Sequence, residues 1–477
     1  VLPGLALIAG AILSFHWMYE PDLGWHLAQG REIASGRLVR TNLFSATQPE
    51  YRQPFESWLF ELGAYEVWKL GGASGIQVAQ ALTIAAALSV VYLACRQRAP
   101  KTVALAVATF GAFLLEPRSV PRPHIVSFVL GAGCALLLER TRVLRSVRPL
   151  LWAVPLIALW SNIHAESMFG AALIGMFAIG ELIFPRVLSR KQAWAAAGLA
   201  ALCMAANSAN PFGTGLLSYL WENAMTPQFI PVAEFRPAYL PTYAPFFAYL
   251  AVGAALILWK RRTVAAYEML IFCAFGALAV RHLRFVALFL CVTAPVVAAA
   301  IATLKTRRIP GFLQVAGALC LGLILTPVPM KTRIDFAGIG PSYLEPKTLE
   351  ANGAATFIRS AGLTGPVFNS VNLGGYLEWN SYPSVRVFQD TRFQAYPPEH
   401  FRKIIAAYQS QAEWDSLLSG IDWAVLTLQR NTPLTGFGRF PAEQWAPVYH
   451  DDAIIIVVRR SGKFGMLATA RPSSVTR

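Results

Sequence analysis

Charge is what this sequence has least of. Only 14% of its 477 residues are Asp, Glu, Lys or Arg, while 55% are hydrophobic and the mean hydropathy is +0.46. A soluble chain of this length needs a charged surface, typically about a quarter of its residues, so a water-soluble globular protein is excluded. Cysteine is scarce too. All six (Cys95, Cys134, Cys203, Cys273, Cys291 and Cys320) lie in or beside apolar runs, without zinc spacing or a disulfide framework. The one glycine-rich candidate, "NLGGYL", lacks the strand–GxGxxG–helix spacing of a nucleotide fold. Carboxylates are missing from the centres of the apolar runs, since Glu181 and Glu268 stand near their ends. A coupled transporter needs ionisable groups near mid-membrane, so that class is disfavoured.

Apolar runs of bilayer-crossing length, roughly 17–25 residues, recur along the chain as far as about residue 328. Spans are expected near 2–18, 74–94, 102–116, 124–138, 149–160, 166–184, 193–209, 242–259, 265–280, 285–304 and 310–328, about eleven in all. Five loops ("CRQRAPK", "ERTRVLRSVR", "PRVLSRK", "KRR" and "KTRR") hold sixteen of the twenty-six basic residues before position 329. They alternate with segments carrying eleven of that region's fourteen carboxylates. The positive-inside rule places the basic loops in the cytoplasm. The N-terminus is then inside, and both 20–73 and everything after 329 lie outside. Basic loops facing anionic lipid account for the net charge of +15 without nucleic acid. The chain opens at Val1 inside an apolar run, so a short cytoplasmic start is expected to precede it.

Three regions follow. Residues 1–328 read as a transmembrane domain with a first periplasmic loop at 20–73 and a second at 207–241. In the first loop "GWHLAQGREIASG" and "ESWLFELGAYEVWKLGG" have helical apolar spacing, with Trp25, Trp58 and Trp68 suited to the interface. The second carries "NPFG", a helix-like "GLLSYLWENAM" and a Pro-rich stretch. Residues 345–460 change grammar. "GPVFN", "VRVFQD", "DWAVLTL" and "AIIIVVRR" are short β-rich runs among helix-like segments, which predicts a small periplasmic α/β domain. A disordered tail is expected over 461–477.

The chemistry-bearing residues gather on the outer side. Glu20 and Asp22, spaced by Pro21, follow the first span directly, and two such carboxylates can act as a base or bind a divalent cation. His26, His124, His164 and His282 map to the exterior or the outer boundary, as do Arg118, Arg122, Arg281 and Arg284, against the positive-inside trend. Arginine suits bidentate contact with a lipid phosphate arriving at that depth. Glu166 stands one residue from His164 in a very short outer loop, where a metal role, an acid–base role and a helix cap are all open. "FQDTRF" and "YHDDA" in the exterior domain read as structural, with Asp390 ending a strand and Asp451–Asp452 in a turn.

Outward carboxylates after the first span, a long first loop, about eleven spans and an exterior C-terminal domain together resemble the GT-C superfamily of polyprenyl-phosphate-dependent glycosyltransferases. The pieces carrying the resemblance are "PDLGWHLAQGREIASG", "TNLFS", "WLFEL", "RPHIVSF", "WSNIHAE", "NPFG", "VFNSVNLGGYLEW", "VFQDTRF" and "IDWAVL". It is closer to a group of bacterial membrane proteins within that superfamily. The resemblance implies Asp22 as principal catalytic carboxylate with Glu20 completing the acidic motif. Substrate contacts would come from His26, Arg118, Arg122, His124, His164, Glu166, Arg281, His282 and Arg284. A divalent cation, Mg or Mn, would have Glu20, Asp22 and His164 as candidate ligands. Asp-x-Asp is more usual in such a motif than Glu20-Pro21-Asp22. The partners implied are membrane lipids, a polyprenyl-phosphate-linked sugar donor and a glycan, lipid or protein acceptor. The setting is the inner membrane of a bacterium. The alternatives are a non-catalytic scaffold of the envelope and a transporter of lipid-linked glycans.

Overall fold

The computed structural model describes residues 20–52, 57–218, 221, 233–304, 309–326, 353–428, 433–436, 438–451, 454–469 and 473–474. The expected first span and most of "GLLSYLWENAM" fall outside them. The described residues divide into two compact units. One runs from Gln77 to Thr326; the other joins Glu20–Ile76 to the residues from Gly353 onward.

The first unit is a bundle of apolar helices. Each of the ten expected spans that fall on described residues is helical. Three helices among the described residues are long and apolar enough to cross a membrane: Trp58–Arg96, His124–Leu144 and Leu283–Ala302. Others, such as Ser167–Ile183 and Gly311–Leu325, are apolar but shorter. The sequence Val286–Ala302 has no charged residue and is buried nearly all round, so it forms the axis of the bundle. Glycines let its side chains in: Leu290 fills the space beside Gly111, and Leu288 the space beside Gly131. Trp152, Leu159, Ile179, Ile183 and Leu258 point outward, as a lipid-facing surface requires. At the basic ends of the helices Arg98 pairs with Glu139 at 3.3 Å and also with Glu268. Arg142 bonds Glu139 at 2.8 Å.

The second unit is built on a six-stranded sheet in the order β2-β1-β3-β5-β4-β6. Its strands are β1 (Gly365–Asn369), β2 (Val385–Val387), β3 (Trp423–Thr427), β4 (Trp445–His450), β5 (Ile454–Arg459) and β6 (Ser473–Ser474). β1 runs parallel to β2 and β3, and the β-branched run "IIIVVR" of β5 pairs antiparallel with both β3 and β4. Alternation covers both faces: Val367, Val387 and Ile456 pack with Ile358 and Leu377, while Phe368 meets Trp414 and Phe388. Asp390 lies past the end of β2 and not within it. Nor is the stretch after 461 disordered where it is described. Phe464 and Leu467 pack onto the core, a 3₁₀ turn covers Gly465–Thr469, and β6 pairs with β4.

The first loop belongs to this unit. Its helix α1 (Asp22–Ala34) lies against α2 (Gly374–Ser381), and two glycines set the spacing. A Cβ on Gly24 would stand 2.3 Å from the Gly375 carbonyl oxygen, and one on Gly375 would stand 2.6 Å from that of Pro21. Beyond α1 the chain runs along β2: Ala46 N–H donates to Val387 O at 2.8 Å, and Val387 N–H donates to Phe44 O at 3.0 Å. Trp25 is therefore buried at 8% exposure, not interfacial, because α1 turns that face towards the sheet domain.

One buried ion cluster fixes the loop after β2. Arg392, fully buried, donates to both oxygens of Asp390 at 2.7–3.0 Å, to Glu378 at 2.8 Å and to Asn42 Oδ1 at 3.2 Å. Its guanidinium also stands 5.5 Å from the Trp25 ring and 5.4 Å from Phe44. Tyr396 O–H donates to Asp390 at 2.7 Å. Burial would raise the Asp390 carboxyl, but Arg392 and the Tyr396 hydroxyl hold it below the usual carboxylate range. Burial pushes Glu378 well above that range, against the pull of Arg392 and with Asp390 adding to the rise.

Two consequences can be measured. Gly24→Ala forces two backbones apart and should lower stability by about 1–3 kcal/mol. Gly63→Ala, in a helix with nothing within 4 Å of the added carbon, should be neutral or stabilising; melting of the purified variants separates the two. Asp390→Asn strands a buried guanidinium and should cost about 3–5 kcal/mol. Glu378→Gln, which keeps an oxygen acceptor for Arg392 and leaves Asp390 to pair with it, should cost less in the same melts.

Candidate functional site

Asp22 opens α1, where the exposed N–H groups and the helix dipole favour an anion. Pro21 precedes it without a side-chain cap, so the acidic side chain of Asp22 itself occupies the first turn. The Asp22 N–H donates to Glu20 Oε1 at 3.1 Å, which makes Glu20 a bracket for the backbone beside Asp22. Both carboxylates are buried, Glu20 at 4% and Asp22 at 9% exposure. The Thr391 hydroxyl donates to Asp22 Oδ1. One turn further along α1, His26 Nδ1 lies 3.3 Å from Glu61 Oε1, which also accepts from Ser57 Oγ at 3.3 Å. The His26 ring stacks near Trp25 at 3.6 Å between centroids.

In the helical unit the residues expected on the outer side form one charged network. Arg118 Nη2 meets Glu234 Oε2 at 2.6 Å, and Arg122 Nη1 stands 3.8 Å from the same oxygen. Arg284 Nη2 lies 3.6 Å from Glu166 Oε1, and its guanidinium covers the Phe235 ring at 4.9 Å. His164 Nδ1 stands 3.4 Å from Glu166 Oε2 and 3.0 Å from Ser127 Oγ, which also accepts from Trp160 Nε1 at 2.8 Å. Glu166 occupies the N-cap position of Ser167–Ile183 without capping it, so its carboxylate serves the network instead. His124 Nε2 donates to Arg118 O at 2.8 Å, leaving Nδ1 to face Arg118 Nη2 at 3.4 Å. His282 Nδ1 donates to Phe235 O at 2.8 Å and holds the Glu234–Phe235 turn in place. Arg281 is exposed and lies outside these contacts.

Glu234 is the hub that sequence reasoning overlooked. Burial would raise its carboxyl, but Arg118, Arg284 and Arg122 hold it well below the usual carboxylate range. The signal was a lone acidic residue in "PVAEFRP", outside the membrane runs and opposite several outer arginines. Thr391 was also missed. "FQDTRF" places a hydroxyl between an acid and a base, and reading its Asp390 as a strand end hid the neighbour's contact.

Among the described residues no group of three or more His, Cys, Asp or Glu side chains could hold a metal ion. The donors at hand also have other tasks: Glu20 accepts the Asp22 N–H, Asp22 accepts from Thr391, and His164 Nδ1 faces Ser127 and Glu166.

No protein-family model matches the chain, and no curated protein matches it in sequence. Solved structures do match in fold. The oligosaccharyltransferase AglB of Archaeoglobus fulgidus, in complex with an inhibitory peptide and a dolichol-phosphate, aligns with a TM-score of 0.59 at 14% identity. The alignment covers 89% of this chain and 69% of that one. The same archaeon's oligosaccharyltransferase in complex with Zn and sulfate gives 0.57 at 15% identity, over 96% and 73%. ArnT from Cupriavidus metallidurans, bound to undecaprenyl phosphate, gives 0.50 at 15% identity over 98% of both chains. At 14–15% identity the likeness is one of fold: this chain is folded like the solved oligosaccharyltransferase and ArnT chains.

Proposed function

We propose that the chain is a membrane glycosyltransferase that moves a sugar from a polyprenyl-phosphate donor to a periplasmic or lipid-linked acceptor. Its setting is the inner membrane of a bacterium, with about eleven spans, the N-terminus in the cytoplasm and the sheet domain in the periplasm. The observation that carries the reading is the convergence of Arg118, Arg122 and Arg284 about one outer carboxylate, Glu234. Three guanidinium groups at the outer ends of helices make a site for a phosphate. In this reading Glu234 is the anion that a donor phosphate displaces. The likeness to proteins solved with dolichol-phosphate and undecaprenyl phosphate supports that donor class.

The chemistry needs two charges handled. As the bond between the sugar's anomeric carbon and the phosphate oxygen breaks, negative charge grows on the leaving phosphate. Arginines fixed in a poorly solvated setting stabilise that charge more than water does. Meanwhile the acceptor's hydroxyl forms the new bond to the anomeric carbon and gives up its proton. Asp22 takes that proton as general base. Glu20 holds the Asp22 backbone, and His26 with Glu61 secures α1 one turn on. His164, Glu166, His124 and His282 orient the arginines, and Arg281 adds positive charge at the approach.

Replacing Asp22 tests the reading. Asp22→Asn keeps the shape and the acceptor for Thr391 but not the basicity. General-base assistance accounts for about 10²–10⁴-fold of rate. Transfer of radiolabelled sugar from undecaprenyl-phosphate-linked donors should fall by that order at unchanged melting temperature, with a smaller loss for Glu20→Gln. Wild-type transfer by Asp22→Asn would remove the base. Silence of the wild type across a broad donor set would favour an envelope scaffold.

A further inference from the structure

We propose that Thr391 is a positioning residue for the base: its hydroxyl, held by a loop that a buried ion cluster makes rigid, fixes the Asp22 carboxylate. The inference rests on the reading of Asp22 as general base and adds to it a residue from the opposite end of the chain.

A carboxylate on a helix's first residue is poorly fixed by its own chain, because the terminal torsion of Asp is broad and roughly two-fold. Efficient proton transfer needs it held near one geometry. The Asp22 N–H is bracketed by Glu20, which steadies the backbone but not the side chain. Thr391 restrains the side chain itself by donating to Oδ1.

That restraint is only as good as the loop behind it. Thr391 sits between Asp390 and Arg392, both fully buried. Arg392 N–H donates to Asp390 Oδ1 at 2.7 Å, closing a tight turn around Thr391, and the Arg392 side chain bonds the same carboxylate. Arg392 then reaches Asn42 in the first loop, while Asn42 Nδ2 donates to Ala395 O at 2.9 Å. Gly374 removes a Cβ that would lie 2.5 Å from that of Asp390, so α2 closes directly on the turn. On the far side, Gly24 and Gly375 bring α1 and α2 into backbone contact. The two ends of the hydrogen bond are thus mounted on elements braced against each other. Threonine suits the position beyond its hydroxyl, because branching at Cβ limits the rotamers open to Oγ1.

The test compares Thr391→Val, Thr391→Ser and Asp22→Asn, singly and as the Thr391→Val/Asp22→Asn double variant. Sugar transfer from a pool of undecaprenyl-phosphate-linked donors is measured at equal amounts of folded protein. Loss of one hydrogen bond to a charged group should lower kcat roughly ten- to a hundredfold in Thr391→Val, with KM for the donor little changed. Thr391→Ser should recover most of the rate, and in the Asp22→Asn background Thr391→Val should add little. Infrared spectra give a readout independent of turnover. The carboxylate band of Asp22, isolated by subtracting the Asp22→Asn spectrum, should shift in Thr391→Val and return in Thr391→Ser. If Val proves too apolar to fold there, Thr391→Ala reads the same loss.

Wild-type kcat and an unshifted band in Thr391→Val, with Asp22→Asn inactive, would overturn the positioning role and leave the base intact. A full further loss in the double variant would likewise overturn it, since Thr391 would then act apart from Asp22. Wild-type transfer by Asp22→Asn would sink the base reading itself, and this inference with it.

Discussion

The second unit depends on one buried guanidinium. Arg392 has no exposed surface, and an unpaired charge there would be prohibitive. Asp390 neutralises it, Glu378 accepts a further hydrogen bond from it, and Asn42 and the rings of Trp25 and Phe44 complete its surroundings. Those partners come from both ends of the sequence. Satisfying one charge therefore draws the first loop and the C-terminal domain into a single body. A hydrophobic cluster of the same volume could be as stable, but it would not specify where the turn around Thr391 must sit. That turn is where Asp22 is met.

The helical unit follows the opposite rule. Its middle is apolar and packed through glycines and small residues, and its charges are kept at the helix ends. At one end Arg98, Arg142, Glu139 and Glu268 pair closely and tie the helices together. At the other, Arg118, Arg122 and Arg284 surround Glu234 and Glu166, and cations outnumber carboxylates among those five. Three guanidinium groups gathered about so few carboxylates at helix ends are a poor way to stabilise a bundle. The arrangement suits, in the proposed reading, an anion whose charge grows during reaction, as that of a leaving phosphate does.

Much of this was legible in the sequence, for a physical reason. Bilayer thickness and loop charge act on long windows, so the apolar runs could be read without contacts, and ten reappear as helices. The β-rich runs at Gly365, Val385, Trp423 and Ile454 announced the sheet in the same way. The number of membrane crossings is less legible, because several helices are apolar but shorter than a span, such as Ala244–Trp259. Contacts between distant segments could not be read at all. Nothing local to Trp25 says that it faces Arg392 and not lipid, and nothing local to Thr391 points to Asp22, 369 positions away. Glu234 was visible as a charge but not as a partner, since its role exists only once three arginines converge.

The central claim is that the outer arginines receive a lipid-borne phosphate. A density map of the protein with undecaprenyl phosphate bound examines it most directly. The expected result is phosphate density in salt-bridge contact with Arg118 and Arg284, and the Glu234 carboxylate moved away from Arg118. Lipid phosphate density elsewhere, with the 2.6 Å Arg118–Glu234 pair intact, would contradict the account.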